Sequence, residues 1–166
     1  GIGVLSNRTF TKVIDNNITG SCSHDKCPIL YLQDVASTGI FSQEGNIVIE
    51  ENRISKLRES ITILLADFKV EENNINFSEF GITANNSEGD VLSNIFTNNT
   101  NALSSSISII DIRNNDFSDS REIVISEGNK MTSFLGSKID QVYDVLEYLD
   151  NKENIFIYSY NLRVCV

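Results

Sequence analysis

The chain has 166 residues, a one-domain length whose core needs no disulfide or metal to fold. Its formal net charge of −10 repels phosphate backbones and anionic lipid, which argues against direct sequence-specific nucleic-acid binding. Hydrophobic residues make up 40%, enough to exclude wholesale disorder, and no apolar run is long enough for a helical membrane span.

The chain opens on Gly1, as it would after loss of an initiator Met, a leader or an upstream polyprotein segment. Gly1 to Leu5 and Thr9 to Ile14 read as extended segments, with turn signals at Ser6-Asn7-Arg8 and Asp15-Asn16-Asn17. They suit a hairpin, or an extended N-terminal arm over residues 1–20 that pairs with a neighbouring subunit. After Cys22 to Cys27, Pro28 opens a strand at Ile29 to Val35, since Pro is tolerated at a strand's first residue. Ile40-Phe41 and Asn46 to Ile49 read as further strands.

Ile54, Leu57, Ile61, Leu64, Leu65 and Phe68 recur at three- and four-residue steps, which predicts a helix over 52–68. The β-branched run Ile61-Thr62-Ile63 supports the alternative of a strand from Ser60. Ile75 to Phe77 and Phe80 to Ile82 are strand pieces, and Glu88 to Thr97 suits a short helix. Leu103 to Ile112 and Glu122 to Ile125 are predicted strands. Ser137 then caps a helix over 137–150 carrying Ile139, Val142, Tyr143, Leu146 and Leu149, and Ile155 to Val166 closes as a strand. The expected fold class is α+β: one domain, 1–166, a mostly antiparallel sheet with two main helices, and the order strand-strand-helix-strand in the C-terminal part. No internal repeat is read.

The only histidine, His24, lies between Cys22 and Cys27, a set that could ligate zinc with Cys165 as a fourth ligand, although the spacing is not that of a standard finger. A local Cys22–Cys27 disulfide is the alternative. A thiol and an imidazole this close in sequence are poorly placed for nucleophilic catalysis. Walker loops and nucleophile elbows are absent, and no cofactor is implied. Asp111, Asn114, Asn115, Asp116 and Asp119 put oxygen ligands at close spacing, without the EF-hand pattern. Asn7, Asn17, Asn76, Asn85 and Asn98 open glycosylation sequons, a count that so asparagine-rich a chain approaches by chance.

These features point away from an enzyme and towards a structural or assembly subunit, of the virion, tail or filament kind, working by edge-strand pairing in a homo-oligomer or larger assembly. An extracellular or surface binding domain, glycosylated at those sequons, is the second expectation. A small acidic adaptor or chaperone using the Ile54–Phe68 face is the third. A virion or an extracellular surface is the favoured location.

Overall fold

The computed structural model describes residues 2–20, 37–125, 128–138, 144–145 and 157–158. Among them every regular element is a strand and every strand pair is parallel. The chain winds as a β-solenoid, with an 11-stranded and a 5-stranded parallel sheet. This corrects the α+β, mostly antiparallel expectation.

The strands follow one another as β1 (Ile2–Ile14), β2 (Asn17–Thr19), β3 (Thr38–Glu50), β4 (Arg53–Ser55), β5 (Glu59–Glu71) and β6 (Asn74–Asn76). Then come β7 (Phe80–Asn85), β8 (Glu88–Leu92), β9 (Ile95–Thr97), β10 (Asn101–Ser106) and β11 (Ile109–Arg113). The last are β12 (Asp116–Asp119), β13 (Glu122–Ile125), β14 (Lys130–Leu135), β15 (Asp144–Val145) and β16 (Ile157–Tyr158). Each coil has three faces. The first holds β7, β10 and β13 with the leading halves of β1, β3 and β5. The second holds their trailing halves with β8, β11 and β14, and the third holds β2, β4, β6, β9 and β12. Successive coils lie about 4.8 Å apart, the ordinary strand spacing.

Three corners close each coil, and left-handed backbone marks all three. The positive-φ residues other than glycine fall in three columns: Arg8, Glu44, Leu65, Asn86 and Ile107; Asp15, Glu51, Glu72, Ser93 and Asn114; Lys56, Phe77 and Asn98. Next to each column stands a ladder of inward polar side chains. Asn52, Asn73, Asn94 and Asn115 recur every 21 residues. Each amide oxygen accepts the backbone N–H of the asparagine one coil earlier, at 2.9 Å onto Asn73, 3.0 Å onto Asn94 and 2.9 Å onto Asn115. Ser78 and Asn99 share a second ladder, and Ser87, Ser108 and Asn129 a third. These side chains satisfy the corner amides that strand pairing leaves over, which is why buried polar residues sit among the aliphatics. The chain therefore does repeat, with a 21-residue period.

Between the ladders the interior is aliphatic. Ile40, Ile61, Ile82, Leu103 and Ile123 stack as one buried column; Ile49, Val70, Val91, Ile112 and Phe134 form another. Phe96 and Phe117 stack with ring centroids 4.8 Å apart, and Phe134 follows Phe117 at 6.4 Å. A coil cannot cover its own apolar face, so stacking is what buries it.

The helix expected over 52–68 is instead β4, a corner and β5. Each corner resets the two-residue alternation, so inward residues fall at Ile54, Leu57, Ile61, Ile63, Ala66, Phe68 and Val70, a spacing that imitates helical steps. The adaptor's apolar helical face does not exist: Ile54, Leu57, Ile61 and Phe68 are buried and Leu65 is exposed. The short helix suggested at Glu88 to Thr97 is β8 and β9, and the strand read over Leu103 to Ile112 is broken at a corner by Ile107. The helix expected over 137–150 is overturned at its centre, where Asp144 and Val145 pair with Glu122 and Ile123. The Ser137 hydroxyl, read as a helix cap, instead accepts the Asn115 N–H at 3.1 Å and continues the asparagine ladder. With these helices goes the strand-strand-helix-strand order. The strand expected at Ile29 to Val35 lies outside the described residues, as does most of Ile155 to Val166.

Gly89 shows how tightly the coils are laid. A Cβ there would stand 2.1 Å from the Phe68 carbonyl oxygen and 2.7 Å from Phe68 Cγ. Gly89→Ala is therefore expected to destabilise the fold by about 1–3 kcal/mol, read by urea denaturation.

Candidate functional site

The long first coil is the part of the solenoid with least covering. β1 pairs with β3 over its whole length, Ile2 against Thr38 to Ile14 against Glu50, and among the described residues no strand lies on its other edge. That edge is a 13-residue row of backbone groups. Its outward side chains include Leu5, 64% exposed, and Phe10, 63% exposed, with Lys12 Nζ 5.8 Å from the Phe10 ring centroid. Alternation sends Val13 inward, where it is buried, and leaves Ile14 half-exposed beside it.

The asparagine ladder also ends here. Asn16 donates its N–H to Asn52 Oδ1 at 2.9 Å, and its side-chain amide to Ile14 O at 2.8 Å. Among the described residues no donor reaches Asn16 Oδ1, the atom that would accept from an earlier coil. From Asn16 to Asn52 the interval is 36 residues, against 21 in the later coils, and the excess falls between Gly20 and Ser37. Arg8 bridges the first two coils through Glu44, Nε to Oε2 at 2.6 Å. That hydrogen bond first, and the paired charge with it, raises the guanidinium pKa; the same hydrogen bond lowers that of the carboxyl.

A second apolar exposure follows the corner between the first and second faces. Leu65 (50% exposed) and Ile107 (59%) project there, two coils apart with Asn86 between them. An open depression of about 380 Å³ runs beside them, and Asp67, Glu88 and Ile109, consecutive in one column, also line it.

Cys22, His24, Cys27 and Cys165 lie outside the described residues. Among the described residues no three His, Cys, Asp or Glu side chains gather as metal ligands. The acidic stretch after β11 is dispersed. Asp111 meets Arg113 at 3.0 Å and the Ser133 hydroxyl, while Asn115 turns inward. Asp116 accepts from the hydroxyl and the amide of Ser118 and lies 3.4 Å from Lys138 Nζ. The Ser118 hydroxyl chiefly holds the Asp116 carboxyl below its ordinary range, against desolvation. Of the sequon asparagines, Asn7, Asn17, Asn85 and Asn98 are exposed and Asn76 is half-buried, whereas Ser78 and Ser87, the hydroxyl residues of two sequons, point into the ladders. No described helix is long and apolar enough to cross a membrane.

Sequence reasoning passed over Leu65 and Ile107 because a helical reading placed the first on an inward face and a strand reading hid the corner under the second. The 21-residue spacing of the asparagines is the signal that locates both. Compared with known proteins, the chain matches no family model, no curated protein and no solved structure.

Proposed function

We propose that this chain is a non-enzymatic structural or assembly subunit, of the virion, tail or filament kind, which acts through protein–protein contacts made by its first coil. The observation that supports this reading most is the edge of β1 on which no described strand lies, in a 13-residue strand that carries exposed Leu5 and Phe10. Long apolar edges recruit strands, and proteins that stay single blunt them with charge, proline or a covering element. Only Arg8 and Lys12 put charge on β1, and Arg8 is held by Glu44. The ladder reinforces the edge, since Asn16 Oδ1 offers an acceptor to an asparagine or serine placed above it.

The expected result is a mass above that of one chain by light scattering, rising with concentration. Leu5→Lys with Phe10→Lys leaves the inward residues untouched and puts two cations on the edge. This variant is expected to weaken association at least tenfold. A wild-type mass equal to one chain across a wide concentration range removes the reading.

A further inference from the structure

We infer that the corner lined by Leu65 and Ile107 is a docking groove for an extended peptide that carries aliphatic and basic side chains. The argument starts from the backbone. Ile107 has φ 51°, and it is the only β-branched residue among the positive-φ residues of the described chain. Left-handed backbone is costly for an L-residue and most costly for a β-branched one, whereas Gly and Asn adopt it readily. Other coils place Asn86 and Gly128 at the same corner, residues that suit the conformation.

Burial does not compensate Ile107, because 59% of it is exposed. The corner requires left-handed backbone, but isoleucine there is the costly choice for that conformation and gains no burial in return. Strain kept without a packing gain is a mark of functional positions. Leu65, at φ 53° and 50% exposed, repeats the arrangement two coils away, and Ile109 adds a third exposed aliphatic.

Charge selects the occupant. Asp67 and Glu88 line the depression, and among the described residues no basic side chain does. Lys130 follows Ile109 in the same outward column, so the acidic end and the basic end of the row differ. Apolar contacts to Leu65 and Ile107, with a lysine or arginine reaching Asp67 and Glu88, satisfy both the shape and the sign. The asymmetry fixes which end of the peptide's charge lies where.

The test uses the full chain and two fluorescein-labelled octapeptides, one alternating leucine with lysine and one alternating leucine with glutamate. The lysine peptide is expected to bind, and the glutamate peptide to fail. Ile107→Asn is expected to weaken binding at least tenfold while raising the melting temperature by about 2–4 °C, because asparagine suits the left-handed corner. Asp67→Asn with Glu88→Gln is expected to weaken binding by a similar factor with no change in melting. The inference is overturned by equal affinity of wild type and Ile107→Asn, by equal binding of both peptides, or by a lower melting temperature in Ile107→Asn. It is overturned too if Ile107→Asn abolishes self-association while the lysine peptide does not bind, which assigns the corner to contacts between copies.

Discussion

Replacing Asn94 with leucine is expected to destabilise the protein by about 3–5 kcal/mol in urea unfolding. Asn94 is fully buried; its oxygen accepts the Asn73 N–H and side-chain amide at 3.0 Å, and its own amide donates to Val70 O at 2.9 Å. Leucine fills similar space, leaves the buried Asn73 N–H and side-chain amide without their acceptor, and takes a donor from the Val70 carbonyl. Each such group costs roughly 1–3 kcal/mol. Asn74→Ala is the control, for that residue is exposed and points away from the ladder; it is expected to change stability by less than about 0.5 kcal/mol.

Asn94→Asp sharpens the same point through pH. A carboxylate there retains an acceptor for Asn73 but sets charge against Val70 O and Asn115 Oδ1, and burial raises its folded pKa above the ordinary value near 4. With the folded pKa raised, stability is retained below the unfolded pKa and lost as pH rises through the folded one. The variant is therefore expected to melt closest to wild type in acid, with the gap widening towards neutral pH. A gap independent of pH sinks the account.

Phe117→Ala is the other change with a large expected effect, about 3–5 kcal/mol. Phe117 is fully buried between Phe96 and Phe134, so its loss opens a void shared by three coils. Because each coil touches only its neighbours, the damage is expected to be uneven. Amide exchange is expected to speed up most in β9, β12 and β14, while β1 and β3 keep their protection. Uniform loss across all coils contradicts nearest-neighbour stacking.

Much of the strand content was legible. Glu122 to Ile125 was read as a strand and is β13, and both extended segments before Asn16 belong to β1. The winding was not legible from hydrophobic spacing alone. Corners at Lys56 and Leu65 interrupt the alternation, so the inward residues of β4 and β5 resemble one helical face. The asparagine period was obscured by its own irregularities. Asn16 precedes Asn52 by 36 residues and Ser137 follows Asn115 by 22, leaving the uniform interval only between Asn52 and Asn115. Patterns of apolar residues register which side chains are inside; the identity of the corner residues registers how the chain turns. The apolar corner was the least legible feature, because nothing in Ile107 by itself announces a left-handed backbone.

The ladder has a direction, and direction has a consequence for any assembly. Each ladder oxygen from Asn52 to Asn115 accepts from the coil before it, never from the coil after, so the ladder presents unlike groups in its two directions, as a socket is unlike a plug. Units added through matching amides must all point the same way, and such a series does not close on itself as a two-fold pair does. If the proposed assembly grows by this route, growth is vectorial and without an intrinsic stop, and the length of the product is then set by something other than the joint.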